Sequence, residues 1–84
     1  MSKPRVVIYT RKGCGYCTAA LRLLDARGIA YEHIDVSSRP DLRAKIAEES
    51  GQTTVPQIFI DGRSIGGYTE LHALERAGGL ADVH

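Results

Sequence analysis

Eighty-four residues, 43% hydrophobic and 25% charged, have the composition of one small globular domain, 1–84, with little core to spare. A formal net charge of +1 argues against a nucleic-acid or anionic-membrane surface, and no apolar run approaches the ~20 residues that span a bilayer. No signal-like apolar stretch follows the basic start at Lys3 and Arg5, so the chain is expected to be cytoplasmic, without nucleic-acid or membrane partners.

Val6-Val7-Ile8-Tyr9 reads as a central strand buried on both faces, followed by a polar loop over Thr10-Arg11-Lys12-Gly13. Cys17, Ala20, Leu21 and Leu24 recur at helical spacing, and Gly28 suits the end of that helix. Tyr31 to Val36 is a second strand, so strand, helix and strand form a parallel βαβ unit. Ser38 is expected to cap a second helix that has Pro40 and Asp41 in its first turn, Leu42 and Ile46 as its apolar stripe, and Gly51 as its end. Gln57-Ile58-Phe59-Ile60 is a third strand. Asp61-Gly62 is a hairpin signal returning through Arg63-Ser64-Ile65. After Gly66-Gly67, Thr69 is expected to cap a last helix with Leu71, Leu74 and Ala77 inward, stopped at Gly78-Gly79-Leu80. The order β-α-β-α-β-β-α predicts an α/β fold, a four-stranded mixed sheet flanked by three helices.

The two cysteines of the chain, Cys14 and Cys17, stand at C-x-x-C spacing where the first strand gives way to the first helix. The free N–H groups and dipole of a helix N-terminus favour a thiolate, with Arg11 and Lys12 adding positive charge, so Cys14 is expected to titrate below an ordinary cysteine. Cys17, one turn in and on the apolar face, is expected to be buried and protonated. Cys14 then attacks and Cys17 resolves the mixed disulfide. The competing readings are weaker. Zinc needs about four ligands, and His33, His72 and His84 are not at finger-like spacing. Thr18, not histidine, follows the pair, which argues against c-type haem. Two inert buried thiols remain the plain alternative. None of the histidines is given a catalytic part.

Cys14-Gly15-Tyr16-Cys17, Thr54-Val55-Pro56-Gln57-Ile58-Phe59-Ile60 and Ile65-Gly66-Gly67 ahead of the last helix, in this order, resemble the small two-cysteine glutaredoxins of the thioredoxin-fold superfamily. The resemblance covers nearly the whole chain. It implies a cis peptide before Pro56 facing the thiols. It also implies a redox enzyme that uses glutathione as reductant to reduce protein–glutathione mixed disulfides and protein disulfides. Glutathionylated or disulfide-containing proteins would be its partners and a monomer its working form. By resemblance Lys12 meets the glycyl carboxylate, Tyr16 borders the tripeptide, and Thr54 and Val55 hold its cysteinyl part as an added strand beside Pro56. Gln52 would wall the groove, and the helix start at Gly67, Tyr68, Thr69 and Glu70 would take the γ-glutamyl end.

Two departures from the family pattern stand out. Where many relatives carry Cys/Ser-Asp-Asp after the paired glycines, this chain has Tyr68-Thr69-Glu70. That moves an expected carboxylate onto the longer arm of Glu70 and adds an aromatic. Where Cys-Pro-Tyr-Cys is common, this chain has Gly15, a small residue that in the family accompanies a shared 2Fe–2S cluster. In such a cluster-bridged homodimer, Cys14 of each protomer and two glutathiones supply the four sulfur ligands. A cluster carrier or redox sensor of that kind is the alternative function. A third reading, an electron donor recharged by a flavoprotein, fits Lys12 and Thr54–Val55 less well.

Overall fold

The computed structural model describes residues 5–81 and 83; the histidine at 84 lies outside them. β1 (Val6–Thr10), α1 (Gly15–Ala26), β2 (Tyr31–Asp35), α2 (Pro40–Ser50), β3 (Gln57–Ile60), β4 (Arg63–Gly66) and α3 (Tyr68–Arg76) follow in chain order. The sheet runs β2-β1-β3-β4: β1 pairs with β2 in parallel and with β3 antiparallel, and β4 closes the antiparallel edge. Asp61 and Gly62, both at positive φ (53° and 81°), make the tight turn between β3 and β4. The Asp61 carboxylate and N–H are held by Arg5, whose guanidinium donates to both carboxylate oxygens at 2.9 and 2.7 Å. This is the thioredoxin-like arrangement, a mixed sheet flanked by three helices.

Alternation along the strands divides the packing. Val6, Ile8 and Ile58 face one way and meet Ala20 and Leu24 of α1 and Leu71 of α3, joined by Ile29, Leu80 and Val83. α1 and α3 pack against each other on this side. Each aliphatic side chain buried there contributes about 1.5–3 kcal/mol. Tyr9 and Phe59 face the other way, edge to face at 5.5 Å, on the side that α2 and its buried Ile46 cover. That cover is incomplete. Val7 and Tyr9 are half-buried, so β1 is fully enclosed on one face rather than both.

Several expected boundaries move. Thr10 is the buried last residue of β1, not loop. Arg39, not Ser38, precedes α2, and no side chain caps it. Pro40 occupies the first helical turn, where its fixed φ starts the helix and its missing N–H removes one orphan donor. α3 begins at Tyr68 with Gly67 at the N-cap, so Thr69 sits inside the first turn. The Glu70 carboxylate reaches back to the Gly67 N–H at 2.6 Å and sets the helix start there. Gly67 has no side chain to return the bond, so one half of a capping box is made. At the far end Ala77 is exposed, because the helix stops at Arg76. Gly78 at φ 78° bonds back to Glu75, and Gly79 to Leu74.

Candidate active site

Cys14 caps α1. Its backbone is extended (φ −97°, ψ 108°) and its Sγ accepts the Cys17 N–H at 3.1 Å. The Cys14 carbonyl takes the Thr18 N–H at 3.3 Å, the first turn of the helix. An N–H aimed at sulfur from a helix start is the donor that an anionic sulfur uses. Cys17 is 3% exposed, and its thiol is pushed up to about 12, by burial first and by its hydrogen bond with Cys14 second; the Arg11 backbone N–H acts in the opposite direction. Both thiols are free. The pair is therefore unequal in access, and burial holds the proton on Cys17.

The second segment crosses in front of the first. The Val55–Pro56 peptide is cis, and the Val55 carbonyl lies 3.7 Å from Cys14 Sγ. The loop leading to it is tied down from beneath, where the buried Gln57 amide donates to the Gln52 carbonyl at 2.8 Å. A groove of about 260 Å³ runs beside Cys14. Tyr16, Gln52, Thr54, Val55, Pro56, Gly67, Tyr68, Thr69 and Glu70 line it, so residues from three separate parts of the chain meet there. Tyr16 is 69% exposed at its rim and leans against Tyr68, ring centroids 6.0 Å apart, and Tyr68 leans in turn on His72 at 5.7 Å. The groove floor at α3 presents the N–H groups of Tyr68, Thr69 and Glu70, which precede the first helical bond from Leu71 to Gly67.

Lys12 does not line this groove. It stands with Cys14 on the other side of the helix start, and its N–H donates to the Ser37 hydroxyl at 2.9 Å. There a second cavity of about 430 Å³ is bounded by Thr10, Arg11, Lys12, both cysteines, His33 and Asp35. The Thr10 hydroxyl and His33 Nε2 are 2.6 Å apart. The Asp35 carboxyl is held below the usual carboxylate range, by the Ser37 hydroxyl and N–H first and then by Lys12 and His33. His33 and Thr10 were given no role from the sequence. The parallel register that sets Ile8 against His33 is the signal that would have drawn them together. Among the described residues, no group of three or more His, Cys, Asp or Glu is placed to hold a metal ion, and no helix is long and apolar enough to cross a membrane. One accessible cysteine sulfur per chain fits a cluster as a single ligand of four.

Comparison with known proteins places this geometry. The glutaredoxin family model matches residues 6–65. The chain is 49% identical over 77 residues to a glutaredoxin of Pseudomonas aeruginosa, covering 92% of each chain. It is 43% identical over 75 residues to glutaredoxin 3 of Escherichia coli, covering 89% of this chain and 90% of that one. Among solved structures, a buckwheat glutaredoxin–glutathione complex superposes with a TM-score of 0.86 at 32% identity, over 93% of this chain and 74% of that one. With the thioredoxin-like sheet and the Cys14–Cys17 pair at the head of α1, these matches establish that the chain belongs to the glutaredoxin family, whose chemistry is thiol–disulfide oxidoreduction.

Proposed function

We propose that the protein is a glutathione-dependent oxidoreductase that reduces protein–glutathione mixed disulfides and protein disulfides. The observation that carries this reading is the groove beside Cys14, where Tyr16, Thr54, Val55, Pro56 and Gly67 from the three motif segments meet and Gln52, Tyr68, Thr69 and Glu70 complete the wall. Glutathione offers a thiol, two carboxylates, an amine and two peptide groups. The Val55 backbone offers its cysteinyl part an N–H and a C=O in strand-like pairing, beside Thr54 and Pro56. The free N–H groups of Tyr68 and Thr69 suit the γ-glutamyl carboxylate. Glu70, already bonded to the Gly67 N–H, leaves a negative edge for the neighbouring amine. Tyr16, Tyr68 and Gln52 wall the tripeptide. Lys12 reaches its glycyl carboxylate from the far side of Cys14, with a long exposed side chain. The reading draws further support from the glutathione held by the buckwheat relative. A glutathione-dependent reaction also supports a reducing, cytoplasmic setting.

In the reaction, the Cys14 thiolate attacks the glutathione sulfur of a mixed disulfide and the protein sulfur leaves as thiolate. A second glutathione, or Cys17, then attacks to break the new bond. Cys14→Ser abolishes both activities; Cys17→Ser retains removal of glutathione and loses most reduction of protein disulfides. A steady-state assay with a glutathionylated protein and with a protein disulfide checks this. Equal loss of both activities in Cys17→Ser would refute the division of roles.

A second reading, the glutathione-bridged 2Fe–2S dimer, is favoured by Gly15. A side chain there would meet nothing within 4 Å, so the space beside Gly15 is open. Protein kept free of oxygen that stays colourless and monomeric with iron, sulfide and glutathione would remove this reading.

A further inference from the structure

Cys17 retains its proton at neutral pH, because burial pushes its thiol up to about 12, yet the two-thiol route requires its sulfur to attack. The route therefore needs a group to take that proton, and Cys17 does not line the groove. On the other side, Cys17 borders the second cavity together with Thr10 and His33. Thr10 ends β1 almost fully enclosed, 4% exposed, with its hydroxyl 2.6 Å from His33 Nε2. A hydroxyl so placed can donate to the ring nitrogen while accepting from the cavity.

We infer that His33, acting through the Thr10 hydroxyl, is the proton acceptor that frees Cys17 to resolve the mixed disulfide. The inference rests on the proposed two-thiol reading of Cys14 and Cys17. Imidazole is the side chain that exchanges a proton near neutrality. The charged groups facing it are Arg11 and Lys12 from the loop before α1 and Asp35 two residues on in β2. The two cations are not bases at neutral pH. Asp35, already bonded to Ser37, is a weak one.

The step balances within the protein and its substrate. With Cys14 joined to a substrate sulfur, the Cys17 proton passes through water in the cavity to the Thr10 oxygen as the Thr10 proton moves to His33 Nε2. The Cys17 electron pair forms the Cys14–Cys17 bond, the bond from Cys14 to the substrate sulfur breaks, and that sulfur leaves as thiolate. Cys17 is oxidised and the substrate sulfur reduced. The imidazolium returns its proton to the departing thiolate or to solvent. The plain competing role for the Thr10–His33 contact is a latch holding the end of β1 to β2.

The two roles are separated by following one turnover. Reduced protein is mixed with excess oxidised glutathione and quenched in acid over a range of times. Intact mass then separates the glutathionylated intermediate from the internal disulfide. His33→Ala is expected to slow the conversion of one into the other by about 100-fold near pH 7 and to change its pH profile. Added imidazole is expected to restore the rate, because the truncated side chain opens the cavity it borders. Thr10→Val should slow conversion similarly and Thr10→Ser should restore it. Conversion in His33→Ala within about twofold of wild type, or slowed without change in pH profile and without rescue by imidazole, overturns the inference in favour of the latch. Wild-type protein that forms no glutathionylated Cys14 overturns the proposed function itself. An intermediate that forms normally and resolves normally in the variants overturns the proton relay alone.

Discussion

Replacing Gly66 with alanine is expected to destabilise the protein by about 1.5–5 kcal/mol through two separable causes. Gly66 lies at φ 106°, where a side chain is strained whatever the space, at about 1–3 kcal/mol. Its Cβ would also stand 2.6 Å from Glu70 Oε1 and 2.7 Å from Glu70 Cγ. Glu70 is flexible and would swing aside, giving up its bond to the Gly67 N–H. The loss of that cap costs about 0.5–2 kcal/mol. In a Glu70→Ala background neither the clash nor the cap exists, so Gly66→Ala there should cost only the backbone part. The double variant is therefore less destabilised than the two single variants summed, by about 0.5–2 kcal/mol. Urea unfolding followed by far-ultraviolet circular dichroism measures all four corners of the cycle. Additivity within about 0.3 kcal/mol would show that Glu70 does not hold the start of α3 in solution. The same cycle read as glutathione affinity reports whether the carboxylate at this helix start shapes the proposed γ-glutamyl site.

Three further outcomes follow from single positions. Leu24, fully enclosed between α1 and the sheet, should cost about 2–5 kcal/mol when cut to alanine, a large share of the 5–15 kcal/mol typical of a domain; a loss under 1 kcal/mol in urea unfolding would contradict the packing. Gly15 occupies the first position of α1 with open space around it and an extended Cys14 before it. Gly15→Pro should therefore stabilise by about 0.4–1 kcal/mol and raise the thermal midpoint by about 2–8 °C; an unchanged or lower midpoint would show that this first turn needs the freedom of glycine. In alkali the sign is set by Cys17. Between its ordinary 9.0 and about 12 the unfolded chain has released a proton that the folded chain keeps, so stability falls as pH rises through that window. Tyr9 and Tyr31, both raised from 10.0, act in the same direction. Cys17→Ala should therefore show a shallower decline there than wild type, and equal slopes would count against a buried, protonated thiol.

Elements with a long apolar rhythm were plain in the sequence. Cys17, Ala20 and Leu24 are the buried positions of α1, and Asp61-Gly62 makes the turn that the dipeptide announces. What escaped were two helix starts and one contact made across the fold. Ser38 has the right chemistry for a cap, but Pro40 fixes where α2 begins and leaves Ser38 one residue too early. Thr69 likewise yields to Glu70, whose carboxylate claims Gly67 and draws the helix start back two residues. Such choices depend on which of two local bonds the rest of the molecule permits, and no spacing rule ranks them. The three motif segments of the groove could be named in advance because each carries its own punctuation in glycine, proline or cysteine. The pairing of Thr10 with His33 has none. It exists because β1 and β2 run parallel in one register, a fact of tertiary structure.

The position of Cys14 at the head of α1 gives the two thiols different neighbourhoods, and the difference bears on how the chemistry can be tuned. Both cysteines border the second cavity, but Cys14 Sγ also lies 3.7 Å from the Val55 carbonyl of the groove wall, whereas Cys17 is buried. In the proposed reaction, substrate sulfur arrives from the groove and the resolving proton leaves by the cavity, so binding and resolution draw on separate side chains. Changes at Thr69 or Tyr68 then act on glutathione affinity in both the one-thiol and two-thiol routes, whereas changes at Thr10 or His33 act on resolution. A single helix turn carrying both sulfurs thereby lets the balance between the two routes shift through residues that never touch glutathione. Gly15 stands where the two regions meet.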